Sequence, residues 1–128
     1  MKTDNDLHTV FVCVPSPALG ADTDEKRDAL HRGMRACHLL AKLGYSPLCP
    51  LLYFPRFLST IHAPDVADAA VLKQEWLEMS EEVWVFGDER TKEMACDIQM
   101  AKERELPIRY YPEPDELRVR LLEALEVG

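Results

Sequence analysis

An apolar run rich in β-branched and aromatic residues, Glu82–Phe86, ends at Gly87. A helical pattern follows within a few residues and places Met94, Ile98 and Ala101 on one face. This order predicts a strand, a tight turn and a helix. In parallel α/β sheets the loops that leave the carboxyl ends of strands carry ligands, and a helix that begins there offers free N–H groups. We therefore expect any small-molecule site of this chain near the turn.

The rest of the chain repeats this alternation of apolar runs and helical patterns. Further strands are predicted at His8–Val14, Tyr45–Cys49 and Leu106–Tyr110, with further helices at 23–43, at 65–79 and from 114 onward. The order β-α-β-α-β-α-β-α contains no hairpin signal, so it predicts a parallel sheet with helices on both faces. The fold class is α/β: a three-layer α/β/α sandwich of the Rossmann or flavodoxin-like kind, with four or five strands in the order 2-1-3-4. We expect the cleft at the carboxyl edges of strands one and three, within a single domain over residues 1–128.

The apolar positions of the helices and of the third strand predict which side chains are buried. In the third strand, Val83–Phe86 should be buried throughout because helices cover both faces of the sheet. For the first helix the predicted stripe is Leu30, Met34, Cys37, Leu40 and Ala41. For the last helix it is Leu117, Leu121, Leu122 and Leu125.

The segment from Leu51 to Asp65 is unusually aromatic for a connection between elements. Long connections in small domains are often functional or mobile. Two interpretations stay open: Phe54 and Phe57 hold the segment on the core, or the segment forms one wall of a ligand pocket.

Charge and cysteine usage exclude several classes of partner. The formal net charge of −8, from 23 acidic against 15 basic residues, argues against a nucleic acid or an anionic membrane as the main partner. The four cysteines are far apart and form no Cys-x-x-Cys pair, which indicates buried thiols, with no metal and no cofactor. No apolar segment is long enough to span a bilayer, and residues 1–6 are too polar for a secretory signal, so we expect a cytoplasmic protein.

Two acidic residues of the helix after the third strand are candidates for chemistry. Glu93 and Asp97 are four residues apart, so they project from the same face within about one turn of each other. A carboxylate in a cleft can serve as a nucleophile, as a general base or as a ligand for a sugar hydroxyl. The alternative is a solvated acidic face, and the spacing alone does not decide between the two.

Several blocks of the sequence together resemble one known superfamily. They are Val10–Pro15, Gly44–Pro50, Phe54–Leu58, Glu82–Gly87 and Thr91–Ala101. Over nearly the whole chain they look like the nucleoside 2-deoxyribosyltransferase-like superfamily, and in particular a small uncharacterised bacterial and phage branch of it. The Trp84-Val85-Phe86-Gly87 block is the most specific of them.

The resemblance implies roles for individual residues. The position of the nucleophile falls on Asp97, the hydroxylated position on Thr91, and the position of a glycine beside the sugar on Glu93. Two further departures are Ser16, where a tyrosine is frequent, and Leu51, where a histidine is frequent. The candidate catalytic residues are Asp97 as nucleophile and Glu93 as acid or base, with Glu89 as the other choice for the acid or base. The candidate substrate-binding residues are Pro15, Ser16, Pro50, Leu51, Gly87, Asp88, Glu89, Thr91 and Met94.

Three functions follow as alternatives. The first is an enzyme, a hydrolase or transferase, that cleaves or exchanges an N-glycosidic bond of a nucleoside or nucleotide without a cofactor. The second is a non-catalytic module that binds such a ligand. The third is an interaction protein, a homodimer or higher homo-oligomer, that keeps only the fold, since fold alone does not determine function.

Overall fold

The computed structural model describes residues 8–17 and 20–127, with the backbone alone at 126 and 127. The polar start, residues 1–6, lies outside the described residues. In chain order the elements are β1 (His8–Cys13), α1 (Thr23–Lys42), β2 (Tyr45–Leu48), α2 (Pro50–Tyr53), α3 (Ala63–Met79), β3 (Glu82–Phe86), α4 (Lys92–Glu103), β4 (Ile108–Tyr111) and α5 (Pro114–Val127). None of the helices within these ranges is long and apolar enough to cross a membrane.

The four strands form one parallel sheet in the order β2-β1-β3-β4. The predicted fold class and strand order are thus confirmed. Val10 lies opposite Glu82 and Cys13 opposite Val85, so β1 and β3 end side by side. β2 lies beside β1 on one edge and β3 lies beside β1 on the other, so the strand order reverses at β1. The adjacent ends of β1 and β3 are therefore the topological switch point. Ligands of open α/β sheets bind at such a point.

The strands separate two apolar layers. On one face α1 and α5 cover Val10, Val12, Trp84 and Phe86. On the other face α3 and α4 cover the alternate side chains, Phe11, Cys13, Val83 and Val85. All four residues Val83–Phe86 are buried, as predicted, because a parallel sheet covered on both faces leaves no side of its central strands to water.

The buried face of α1 differs from the predicted stripe. Leu40 is buried and Cys37 half-buried, but Leu30, Met34 and Ala41 are exposed. The helix buries small residues instead, together with two leucines: Ala29, Gly33, Ala36, Leu39 and Leu40. A Cβ added at Gly33 would lie 3.1 Å from Leu52 Cδ2, so small side chains are what allows α1 to approach α2 closely.

The predicted stripe of α5 is also only partly confirmed. Leu117 is buried and Leu121 half-buried, whereas Leu122 and Leu125 are exposed. Among the described side chains of α5, burial is confined to the first two turns, at Pro114, Leu117 and Leu121, so packing uses only these positions.

The segment 51–65 is not the extended connection that its composition indicates. It contains α2 and a 3-10 turn over Phe54–Arg56 before α3 begins. Phe54 is buried and lies 4.6 Å from Trp76, measured between ring centroids, while Tyr53 stacks on the same indole at 5.4 Å. Phe54 therefore holds the segment on α3, as one of the two interpretations states. Phe57 stays 56% exposed and does not serve as a second anchor.

The four cysteines are not uniformly buried. Cys13 and Cys49 are buried and Cys37 is half-buried, but Cys96 is exposed on the outer side of α4. The expectation of four buried thiols is therefore wrong for Cys96. Its neighbours on the buried side of the helix are Met94 and Asp97, and the helical period turns Cys96 away from both.

Candidate functional site

Side chains from the end of β1 and from two helices converge on the α3/α4 face of the sheet. Lys73 Nζ lies 3.4 Å from Asp97 Oδ1 and 3.8 Å from Glu93 Oε2. Ser16 Oγ donates a hydrogen bond to Glu93 Oε2 at 3.4 Å, and Cys13 Sγ donates to Asp97 Oδ2 at 3.8 Å. We call these five residues the carboxylate cluster. The structure thus brings together Asp97, Glu93 and Ser16 at the switch point, where the sequence predicts them.

The phase of α4 determines how deep each carboxylate lies. Met94 and Ala101 face the core, and Asp97, three residues after Met94 and four before Ala101, lies on the same buried side. Asp97 is 7% exposed as a result. Glu93, one turn earlier, lies toward the rim of the sheet and is exposed. The two acids therefore share one cation but not one environment.

Burial governs the electrostatics of Asp97. It raises the pKa of this carboxyl from 3.8 to about 6, while the positive charge of Lys73 lowers the pKa and the negative charge of Glu93 raises it further. Asp97 Oδ1 accepts no hydrogen bond of good geometry from the described residues, so the Lys73 ammonium at 3.4 Å balances its charge as an ion pair. Burial and the charge of Asp97 raise the pKa of the Cys13 thiol, which therefore stays protonated and can donate. Asp97 is mostly ionised at neutral pH.

The shift in the Asp97 pKa predicts a pH dependence of stability. The folded protein holds the proton of Asp97 more tightly than the unfolded chain does. The stabilisation from Asp97 is therefore full below about pH 4 and is lost as the pH rises through about 6. Between about pH 4.5 and 7.5, the unfolding free energy of wild type should fall by about 2 kcal/mol relative to that of Asp97→Asn.

Urea denaturation at a series of pH values measures this difference. Asp68→Asn is the matched control because Asp68 is an exposed carboxylate on α3. Its stability should follow that of wild type across the range. A difference between wild type and Asp97→Asn that does not change with pH would contradict a buried Asp97 carboxylate.

The turn between β3 and α4 holds several of the predicted binding residues. Gly87 is buried with φ of +82°, a left-handed conformation that glycine adopts without strain, and its N–H donates to Tyr111 O at 2.9 Å. Asp88 and Glu89 follow as exposed side chains. Thr91 is the N-cap of α4, and its Oγ1 accepts a hydrogen bond from Met94 N at 3.2 Å. The Thr91 hydroxyl, which the sequence predicts to contact a ligand, thus already serves as the N-cap of the helix.

Capping predicts a stability effect for Thr91. Thr91→Ala should lower the unfolding free energy by about 1 kcal/mol because it leaves an N–H of the first turn without an acceptor. Thr91→Ser keeps the oxygen and should restore most of the loss. Chemical denaturation measures both variants. Equal destabilisation by Ala and Ser would show that the methyl group, and not the cap, matters at this position.

Four other predicted residues do not belong to the carboxylate cluster. Met94 is 1% exposed and packs in the core under α4, so it contributes to the core and does not line the cleft. Pro15 is buried two residues after the end of β1, next to Ser16. Pro50 begins α2, and Leu51 packs against the core on the α1/α5 face. Asp97 lies on the opposite face of the sheet, so the structure does not bring Leu51 into its vicinity.

A cavity of about 330 Å³ opens at the carboxyl ends of β3 and β4. Gly87, Asp88 and Arg90 form one side of it, and Tyr110 and Arg120 form part of the other. Arg90 Nη1 donates to Gly87 O at 2.7 Å and to Glu89 O at 2.9 Å. Sequence reasoning places Gly87 and Asp88 at a ligand site but does not include Arg90, Tyr110 or Arg120.

Lys73 is a member of the carboxylate cluster that sequence reasoning missed. It is the only basic residue of α3 and lies four residues before Leu77, which is fully buried. That spacing places the lysine toward the sheet, where its side chain is 17% exposed. A single lysine on the inner face of an otherwise acidic helix was the available signal, and it points to a buried carboxylate as partner.

The fold and the carboxylate cluster define a class: a parallel α/β sandwich with a charged site at its switch point. Within residues 8–17 and 20–127 no group of three His, Cys, Asp or Glu side chains could hold a metal ion. The chain belongs to the family described as domain of unknown function DUF7768, whose model matches residues 8–111. The match runs from β1 to the end of β4 and includes the whole cluster. No curated protein matches the chain.

Proposed function

We propose that this protein binds a nucleoside or nucleotide at the carboxyl ends of β1 and β3, in the cytoplasm, and cleaves or transfers its N-glycosidic bond through Asp97. The observation that carries the proposal is the ion pair of Lys73 with the buried Asp97 at the switch point of the sheet. The resemblance of the sequence to the nucleoside 2-deoxyribosyltransferase-like superfamily supports it independently, because that resemblance places the nucleophile on the same residue.

The chemistry follows from the environment of each side chain. An Asp97 oxygen attacks the anomeric carbon and forms a C–O bond while the bond from that carbon to the base nitrogen breaks. The base leaves with a proton taken from water at the exposed rim of the cluster, where the Glu93 carboxylate accepts a hydrogen bond from Ser16. Water, or a second base, then displaces Asp97 from the sugar. Lys73 keeps Asp97 ionised for the attack.

A specific observation favours non-catalytic binding as the second candidate. Both oxygens of Asp97 already have neighbours, Lys73 at one and Cys13 at the other, and its side chain is only 9% exposed. Attack on a sugar requires Lys73 to turn aside, whereas binding does not. In this alternative, a ligand contacts Glu93 and Ser16 at the rim. A homo-oligomer that keeps only the fold is the third possibility that we propose to test.

A ligand screen tests the first two candidates against each other. The purified chain is heated with a panel of nucleosides and nucleotides, and each mixture that raises the melting temperature is analysed by chromatography for free base. We expect a higher melting temperature together with released base. A higher melting temperature without base would replace the enzyme by the binding module, and no response to any member of the panel would exclude both.

Glu93→Gly separates the candidates further, since it restores the small residue that the resemblance places beside the sugar. If Asp97 is the nucleophile, the variant should turn over faster than wild type, because the loss of the Glu93 side chain opens the rim to the sugar. The cost to stability should be about 1 kcal/mol from helix propensity. Turnover and Kd measured in parallel decide: weaker binding without any turnover would identify Glu93 as a ligand contact.

A further inference from the structure

The arginine beside the turn after β3 is held in one orientation. Arg90 Nη1 donates to two backbone carbonyls, of Gly87 and Glu89, and the guanidinium carbon lies 5.5 Å from the centroid of the Tyr110 ring. These three contacts fix the plane of the guanidinium. An arginine that is already ordered loses little side-chain entropy when it binds an oxyanion.

The fixed orientation leaves the other edge of the guanidinium for a ligand. Among the described residues, the hydrogen bonds of Arg90 all come from Nη1. Nε and Nη2 together carry three more N–H groups, in the fork that matches two oxygens of a phosphate. Arg90 also lines the cavity of about 330 Å³, which is within the size range of small-molecule sites.

The rest of the cavity suits a ligand with an anionic end and neutral hydroxyl or amino groups. Its second arginine, Arg120, is paired with Glu116 at 2.6 Å, which leaves Arg90 as the stronger oxyanion donor. Asp88 on the same wall is an acceptor for hydroxyl or amino groups. A nucleoside monophosphate carries both kinds of group.

The cavity lies at the ends of β3 and β4 and the carboxylate cluster at the end of β1, with β3 between them. Arg90 directly precedes Thr91, the N-cap of the helix that carries Asp97. Its charge is strong enough at Cys13 to lower the pKa of that thiol, against the larger effect of burial. Arg90 and the cluster are therefore coupled electrostatically across the end of β3.

We propose that the cavity at the carboxyl ends of β3 and β4 is a phosphate subsite in which Arg90 binds the phosphate of a nucleoside monophosphate. The inference rests on the proposed nucleoside or nucleotide function and makes it specific, because the phosphorylated form becomes the ligand. Arg120 contributes less than Arg90 because Glu116 already engages it.

Calorimetric titration with pairs of ligands that differ only in the phosphate tests the subsite. Each nucleoside 5′-monophosphate should bind at least about tenfold more tightly than its nucleoside, and the advantage should shrink as salt is raised. In Arg90→Gln the Kd of the monophosphate should rise to that of the nucleoside, so that the advantage disappears. Arg56→Gln is the control, because Arg56 is exposed and donates to the Leu52 carbonyl at a distant connection.

Ribose 5-phosphate separates this inference from the proposed function. Binding of ribose 5-phosphate that is lost in Arg90→Gln would support the subsite even if no base is ever released. Base release from nucleosides, with no advantage for the phosphorylated forms, would overturn the subsite and leave the proposed function standing. Ribose 5-phosphate and nucleotides that bind equally well to wild type and to Arg90→Gln would also overturn it.

Discussion

Asp97→Asn is expected to lower the release of free base by at least about a thousandfold, while the fold and most of the ligand affinity remain. The amide keeps the shape of the side chain and can still accept from the Cys13 thiol, but it is not a nucleophile. Lys73 keeps a partner in Glu93, at 3.8 Å, so the variant does not strand a half-buried cation. The loss should therefore appear in turnover and not in folding.

The pH profile of wild type gives a second readout of the same residue. Asp97 must be ionised to attack, so turnover should fall as the pH drops through about 6, where the buried carboxyl takes up its proton. Asp68→Asn, an exposed change of the same kind on α3, should keep both the rate and the profile. Circular dichroism confirms that each variant is folded. Unchanged turnover in Asp97→Asn would eliminate the assignment of the nucleophile.

The strands β1, β3 and β4 could be predicted because each is a short run rich in β-branched and aromatic residues. β2 has no such run and could be predicted from Gly44 and Pro50, which bound it. The parallel order followed from the alternation of strands with helices and from the right-handed crossover rule. The inner face of α1 could not be predicted in the same way. It consists largely of Ala29, Gly33 and Ala36, and small residues give no apolar periodicity to read. Close approach to α2 selects Gly33, and that contact is not visible in the sequence.

Some residues of the candidate site could likewise be predicted from the sequence, and others could not. Asp97, Glu93 and Ser16 follow the ends of two strands, and the topology alone brings such positions together. Lys73 comes from the middle of α3, and its distance from Asp97 depends on how that helix lies on the sheet. Met94 was misplaced for the opposite reason: it is adjacent to the site in sequence, but the helical period turns it into the core.

Trp84→Ala should lower the unfolding free energy by roughly 3 to 5 kcal/mol, the range for loss of a large buried aromatic side chain. Trp84 is 3% exposed, and its ring contacts Tyr111 at 4.6 Å and Tyr45 at 5.1 Å between centroids. Its Nε1 also donates to Glu82 Oε1. Alanine leaves a cavity between β2, β3 and β4 and removes one donor from a carboxylate that is 5% exposed.

Trp84→Phe separates the two parts of this loss, because it retains most of the ring volume and removes the N–H. Arg109 Nε at 3.1 Å still compensates Glu82, so Phe should cost clearly less than Ala. Urea denaturation measures both. Ligand affinity of the folded fraction should stay unchanged, because Trp84 lies on the α1/α5 face and the carboxylate cluster on the other. A Trp84→Ala protein that is as stable as wild type but no longer binds ligand would show that the site reaches through the sheet.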